Sequence, residues 1–309
     1  MSEKTHVPVL LDAVIRELKI RADGKYVDGT FGRGGHSSAI LGQLGDEGRL
    51  LAIDRDPHAI AAASEALLTD TRFELIKGEF GKLKKYALER KLLGQVDGLL
   101  LDLGVSSPQL DEAERGFSFR EEGPLDMRMD PTTGPSAAAW LSEVDEETLK
   151  SVIAKLGEER FAGRIANAIV RARRSGPIDT TRALSEIVSS AVPAGKQRKN
   201  PATKTFQAIR MHVNAELQQL AAALAASVEL LRPGGRLCVV SFHSLEDRPV
   251  KRFMRDQSRE PAQYRGLPEI PPGQRPRLRV IGKAIKATAS EIASNPRARS
   301  ARLRVAERL

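Results

Sequence analysis

A single cysteine, Cys238, leaves this chain unable to form an internal disulfide or a cysteine metal cluster. It lies in the apolar run Gly235–Phe242, so a small buried side chain is expected there rather than a nucleophile. The five histidines are scattered without metal-ligand spacing, and no metal is expected. Aromatic residues are scarce, at 4% with one tryptophan, which speaks against a surface that stacks on bases. No apolar run is long enough to cross a bilayer, so no membrane partner is expected. The stretch Met1–Ile20 mixes charge into an amphipathic pattern without the apolar centre of a signal peptide. A cytoplasmic protein is the expectation.

What the chain does have is length for a full core and basic charge placed unevenly. The net charge is +9, yet Arg248–Leu309 alone carries 16 Lys/Arg against 5 Asp/Glu, or +11. The remainder is therefore slightly acidic. Concentrated positive charge of this kind suits contact with phosphates.

The most specific local pattern is Tyr26-Val27-Asp28-Gly29-Thr30-Phe31-Gly32-Arg33-Gly34-Gly35-His36. A short apolar run ends on an acid, enters a glycine-rich turn and leaves into a helical pattern, as the first βα unit of a Rossmann-like sheet does. The dinucleotide fingerprint is not met, because Ser37 stands where its third glycine belongs. Asp28 ahead of the loop suits a ligand bearing a cation near the glycines, such as S-adenosylmethionine, better than a pyrophosphate. Asp54, 20 positions after Gly34 at the end of the next strand pattern, is placed to accept from both hydroxyls of a ribose. Gly78-Glu79-Phe80 follows the third strand pattern, where Phe80 could pack on a purine and Glu79 could accept from its amino group.

Strand patterns recur at Lys25–Asp28, Arg49–Asp54, Arg72–Ile76 and Val96–Leu103, with helical stretches such as Val9–Leu18 and Pro57–Leu68 around them. Alternation of this kind means a parallel sheet covered on both faces. From about Ser136 to Leu231 only helical patterns occur, the last running over Thr203–Leu231. Arg232-Pro233-Gly234-Gly235 then closes that helix. Strand patterns resume at Gly235–Phe242, Arg277–Ile281 and Arg302–Glu307, which predicts a helical domain inserted between the fourth and fifth strands. Arg259–Arg277 reads as an exposed loop.

Ligands of an open parallel sheet bind beyond the carboxyl ends of its strands. There the fourth strand offers Asp102, Ser106, Ser107 and the Pro108 carbonyl, and the fifth offers His243. Methyl transfer to an exocyclic amine needs acceptors for the amine hydrogens, since the delocalised lone pair must pyramidalise before it attacks. His243 could orient a base or handle a proton. Ser244, with Asp247 at N3, is close to a capping box, so those two read as structural. Arg160, Arg164, Arg171, Arg173 and Arg174 form a run that could grip RNA backbone. Two other classes stay open at this level: a non-catalytic RNA-binding assembly factor, and a nicotinamide-dependent oxidoreductase.

Taken in order, Asp28–Ser37, Leu101–Gln109, Arg115–Phe119, Leu125–Asp130, Pro201–Arg210, Ser241–Arg248 and Asn295–Glu307 resemble the MraW/RsmH family of bacterial methyltransferases. That family modifies the N4 amine of a cytosine in 16S ribosomal RNA at the P site, near the decoding centre. The resemblance implies an α/β fold, a class I (Rossmann-like) S-adenosylmethionine-dependent methyltransferase with an all-helical insertion domain. Residues 1–112 and 215–309 would form the catalytic domain, and 113–214 the insertion, with RNA recognition as its role. It further implies 16S rRNA in the assembled small subunit or a late precursor as partner, with a second copy of the chain as another candidate. Cofactor contacts are implied at Gly34, Gly35, His36, Asp54, Phe80, Asp102 and Gln109. Two positions depart from the family pattern: Asn200 replaces a histidine before Pro-Ala-Thr, and Pro249 replaces an aliphatic residue.

Overall fold

The computed structural model describes residues 8–193, 200–260, 262–264 and 271–309. Parts of two sequence readings, the Met1–Ile20 pattern and the Arg259–Arg277 loop, therefore lie outside the described residues. The chain divides into two compact units, one of residues 1–104 and 218–309, the other of 105–217. These limits lie close to, but not at, the boundaries expected from the sequence.

The first unit is built on seven strands: β1 (Lys25–Asp28), β2 (Arg49–Asp54), β3 (Phe73–Lys77), β4 (Val96–Asp102), β5 (Leu231–Ser241), β6 (Leu278–Lys286) and β7 (Arg302–Arg308). Their order is β3-β2-β1-β4-β5-β7-β6. The first five pair in parallel, and β7 runs antiparallel to both β5 and β6. This is a Rossmann-like sheet whose strand order reverses between β1 and β4, the switch point at which such sheets bind ligands.

The central strands are apolar without alternation because helices cover both faces. Leu99, Leu100 and Leu101 of β4 are fully buried, as are Val27, Ala52 and Cys238. The Cys238 thiol, buried without a disulfide partner, is pushed up by that burial and is no nucleophile. The edge strand β6 is largely exposed and carries Lys283 and Lys286, residues that discourage edge-to-edge pairing.

Three predicted elements differ. The Pro57–Leu68 pattern forms two helices, Pro57–Ala61 and Glu65–Leu68, because the Ser64 hydroxyl accepts from Leu67 N and starts a new cap. The Thr203–Leu231 pattern also divides, into Ala202–Val213 and Glu216–Leu230, with Ala215 at φ +50° between them. Asn214 causes that break locally. Its amide donates to Met127 O at 2.7 Å and accepts from Met129 N at 2.8 Å, so the side chain serves a neighbouring loop. Finally, Arg232-Pro233-Gly234-Gly235 does not cap a helix. The helix stops at Leu230, and the four residues form an excursion inside β5, where pairing to β4 slips between Val96 and Gly98. Gly234 at φ +81° permits the turn.

The second unit is helical, with helices at Ala137–Glu143, Glu146–Gly157, Ala162–Ala172, Thr181–Ala191 and Ala202–Val213 around its own apolar core. Leu149, Ile153, Ile165, Ile169, Leu184 and Ile209 are fully buried there, at the helical spacing of their segments. Among the described residues, no helix is long and apolar enough to cross a membrane.

Candidate active site

Carboxylates close three neighbouring strands of the first unit: Asp28 on β1, Asp54 on β2 and Asp102 on β4. The bend after β1 is stitched to both neighbours. Gly29 N donates to Leu100 O and Phe31 N to Ile53 O, each at 2.9 Å, while Thr30 Oγ1 accepts from Asp102 N at 2.6 Å. Gly32 N donates to Asp54 Oδ2 at 2.7 Å. The sequence keeps the backbone free to make these bonds by placing small residues here.

Each glycine serves a different need. Gly32 (φ +56°) takes a left-handed conformation, and a Cβ there would meet Thr30 O at an ordinary contact distance of 3.9 Å. Gly34 (φ +73°) is tighter: a Cβ there would stand 2.8 Å from the Phe31 ring. At Gly35 a Cβ would meet Pro8 Cγ at 2.2 Å. Gly34 and Gly35 are thus required by packing within the protein, and Gly32 is the least crowded of the three.

Asp28 does not play the part its position in the sequence suggests. It is 0% exposed, and its oxygens accept from Thr30 N at 3.1 Å and Ser37 Oγ at 2.7 Å. Burial pushes its carboxyl above the usual range, with its hydrogen-bond donors and His36 opposing the shift. Asp28 therefore braces the loop from beneath rather than facing a cation. Ser37 is the matching half of this brace, which explains serine where the dinucleotide fingerprint has glycine.

Asp54 is half-buried at the crevice. Its Oδ1 accepts from Asp56 N at 2.8 Å and its Oδ2 from Gly32 N, so each oxygen retains a lone pair. Burial pushes its carboxyl up to about 6 against those two backbone donors. Phe80 is half-buried, with its Cβ 3.6 Å from where a Cβ on Gly29 would stand. Glu79 beside it is paired with Lys82 at 2.8 Å and lies 3.7 Å from Arg55, which accounts for its lowered carboxyl, the hydrogen bond from Lys82 opposing partial burial.

Asp102, with its side chain 24% exposed, is more open than Asp28 and the least satisfied of the three acids. Its Oδ2 lies 3.5 Å from His36 Nε2, and its Oδ1 is buried with no hydrogen-bond partner among the described residues. A buried acceptor left in this state is costly unless a ligand supplies the donor. His36 is only 5% exposed, so its ring lies behind the loop beside Asp102 rather than on the crevice surface.

The end of β5 differs from the sequence reading. His243, not Ser244, occupies the N-cap of helix Ser244–Gln257, and Glu246 takes the N3 position. Glu246 Oε2 accepts from Phe242 N at 2.8 Å, and its Oε1 lies 3.0 Å from His243 Nε2. Both ring nitrogens of His243 are buried without a hydrogen-bond partner among the described residues. Asp247 is structural as expected, since it accepts from Arg304 Nε at 2.6 Å. Pro249 is accommodated inside the same helix.

The remaining expected residues, Ser106, Ser107, Pro108 and Gln109, belong to the second unit. They start the short helix Ser107–Asp111 with a capping box, in which Gln109 Oε1 accepts from Ser106 N at 2.9 Å. Gln109 is 5% exposed, and the Pro108 carbonyl already accepts from Glu112 N at 2.8 Å. Local helix formation thus claims part of each group's capacity. Of the arginines Arg160, Arg164, Arg171, Arg173 and Arg174, Arg173 is committed to structure: its Nη1 donates to Leu141 O and Val144 O, both at 2.7 Å. Arg160, Arg164, Arg171 and Arg174 are exposed, and the Arg160 guanidinium lies 4.5 Å over the Phe161 ring. Asn200 accepts from Ala202 N at 2.8 Å, so this departure from the family pattern starts the helix that follows. No group of three or more metal-ligating side chains occurs among the described residues.

The sequence profile of the MraW methylase family matches residues 3–309. The chain belongs to that family; it is a methyltransferase on a class I sheet, and S-adenosylmethionine is its methyl donor. The site fits that cationic nucleoside: Asp102 Oδ1 lacks a donor, Asp54 retains lone pairs for hydroxyls, and the bend is uncrowded at Gly32. Solved structures similar in fold are more distant. A Clostridium thermocellum protein described as a candidate rRNA methylase is 14% identical over 97% of this chain and 95% of its own, with a TM-score of 0.44. An rRNA methylase from Streptococcus thermophilus is 12% identical over 97% and 93%, at 0.41. A SAM-dependent methyltransferase from Aquifex aeolicus is 10% identical over 97% and 90%, also at 0.41. At this distance they add nothing about the site.

Proposed function

We propose that this methyltransferase modifies the exocyclic N4 amine of one cytosine in 16S ribosomal RNA, at the P site of the small subunit. The observation that carries the reading is the unsatisfied Asp102 carboxylate beside a glycine bend tied to Asp54. S-adenosylmethionine supplies an electrophilic methyl group on a sulfonium. The chain's residues do the rest. Asp54 accepts from the ribose hydroxyls with the lone pairs its backbone donors leave free. Phe80 packs on the adenine, and Asp102 accepts from a cationic group of the donor. Gly34 and Gly35 shape the wall of this pocket, with the His36 ring behind it.

On the acceptor side, the amine lone pair is delocalised into the cytosine ring. Acceptors aimed at its N–H bonds favour the pyramidal nitrogen and the positive charge that develops on it. Ser106, Ser107 and the second lone pair of the Pro108 carbonyl are the proposed acceptors. Holding donor and acceptor in line is worth roughly 7–11 kcal/mol in well-oriented systems, more than any one hydrogen bond here. The base must leave its stack, at a cost of a few kcal/mol. The helical unit, through Arg160, Arg164, Arg171 and Arg174, together with the basic C-terminal region, offsets that cost by gripping RNA phosphates in the cytoplasm. Mass mapping of methylated nucleosides in 16S rRNA from cells lacking this protein tests the proposal. Loss of one N4-methylcytidine modification is expected, and an unchanged map would overturn it.

A further inference from the structure

His36 is a buried imidazole with no charged residue on its own helix, Gly35–Leu41. The charged groups acting on it come from elsewhere: Asp102 at the end of β4 and Asp28 at the end of β1. The backbone of Val9, from the segment before the first helix, supplies a further acceptor. Neither ring nitrogen completes a hydrogen bond of good geometry to a described residue. Nε2 nevertheless stands 3.5 Å from Asp102 Oδ2, within ion-pair range. A neutral imidazole would leave one nitrogen as an acceptor facing other acceptors. A protonated ring presents two N–H donors to them instead.

We infer that His36 is a positioning residue: as an imidazolium held beneath the glycine bend, it fixes the Asp102 carboxylate by Oδ2 and leaves Oδ1 for the donor. The inference rests on the reading of Asp102 as a donor-binding group. Burial disfavours the charge on His36, but Asp102 and Asp28 outweigh it and the balance lies above the usual histidine range. Asp28 gains as well, since His36 opposes the effect of burial on its carboxyl. One cation thus serves two acids, and the acid that is free at one oxygen is the one facing the crevice.

The sign of the binding effect separates positioning from simple electrostatics. Removing a positive charge near a cation site should, by Coulomb's law alone, strengthen binding of a cationic ligand. Weaker binding after loss of His36 therefore reports a misplaced Asp102.

The test combines ring NMR of His36 in the ligand-free protein with calorimetry of S-adenosylmethionine on three variants. In the unmodified protein the His36 ring should titrate above the usual histidine range, and Asp102→Asn should lower that titration. His36→Ala should weaken donor binding about tenfold or more, and His36→Gln, which retains an N–H donor, should restore most of it. Thermal melting of each variant checks that it is folded, and the NMR titration decides the pairing even if His36→Ala does not fold. A ring that titrates at or below the usual range, or that ignores Asp102→Asn, overturns the inference while the donor still binds. Failure of the unmodified protein to bind the donor would instead overturn the reading of Asp102, and this inference with it.

Discussion

The backbone N–H of Gly32 donates to Asp54 Oδ2 at 2.7 Å, so the carboxylate that closes β2 also fixes the bend that follows β1. One side chain thus sets the shape of the loop and, in the proposed function, offers its remaining lone pairs to the donor. Asp54→Ala should remove both functions. Hydrogen bonds to charged groups contribute about 1.5–3 kcal/mol each. Donor affinity should therefore fall roughly 30- to 1000-fold, as read by calorimetry, for a total of about 2–4 kcal/mol.

The same residue predicts a pH dependence. With its carboxyl pushed up to about 6 in the folded protein, Asp54 takes up a proton at a pH where ordinary carboxylates remain charged. The ribose hydroxyls need the ionised form as acceptor. Donor affinity should be constant above that value and fall by up to roughly tenfold per pH unit below it. The linkage to stability has the opposite sense: because the folded state binds the proton more tightly, Asp54 favours folding more at low pH and loses that contribution as pH rises through 6. Asp54→Asn should flatten the affinity profile in this window.

Asp102→Ala should abolish methyl incorporation into small-subunit RNA while the melting temperature stays within a few degrees of the unmodified protein. The backbone N–H of Asp102, which donates to Thr30 Oγ1, is retained in the variant, so the link between β4 and the bend survives. Normal turnover by this variant would remove Asp102 from the mechanism.

Ser37→Ala removes the hydroxyl that donates to Asp28 Oδ2 and leaves a buried oxygen without it. Chemical denaturation should show a loss of about 1–3 kcal/mol. Ser37→Gly, although it restores the third glycine of a dinucleotide fingerprint, should destabilise at least as much and confer no affinity for NAD.

The arginines of the helical unit should separate into two groups. Arg173→Ala should lower stability without changing RNA affinity, because its guanidinium caps the Leu141 and Val144 carbonyls. Arg160→Ala, Arg171→Ala and Arg174→Ala should weaken RNA binding across sequences and reduce its dependence on salt, each by roughly 0.7–0.9 in the log–log slope. An unchanged slope would remove these residues from phosphate contact.

Much of the first unit was legible because its cues are local. Apolar runs ending on Asp28, Asp54 and Asp102 announced three strands and their carboxyl ends, and the glycines between Asp28 and His36 announced the bend. The breaks at Ser64 and at Asn214 were not legible. An amphipathic pattern continues across both, and the side-chain bonds that interrupt the helices run to a newly exposed amide in one case and to a distant loop in the other. His243 illustrates the same limit. Its position at a strand end suggested chemistry, and only the fold shows that it is also the N-cap residue of the helix Ser244–Gln257, with Glu246 reaching back to the Phe242 amide.

The sequence by itself determined the sheet, the order of its acidic strand ends, the helical second unit and the family, because periodicity and motif spacing survive in one dimension. Only the folded chain decided which acid keeps an oxygen open. Asp28 and Asp102 both end strands, yet packing buries the first against Ser37 and leaves the second with a vacant oxygen. Burial is set by residues far apart in the chain, and no local pattern encodes it.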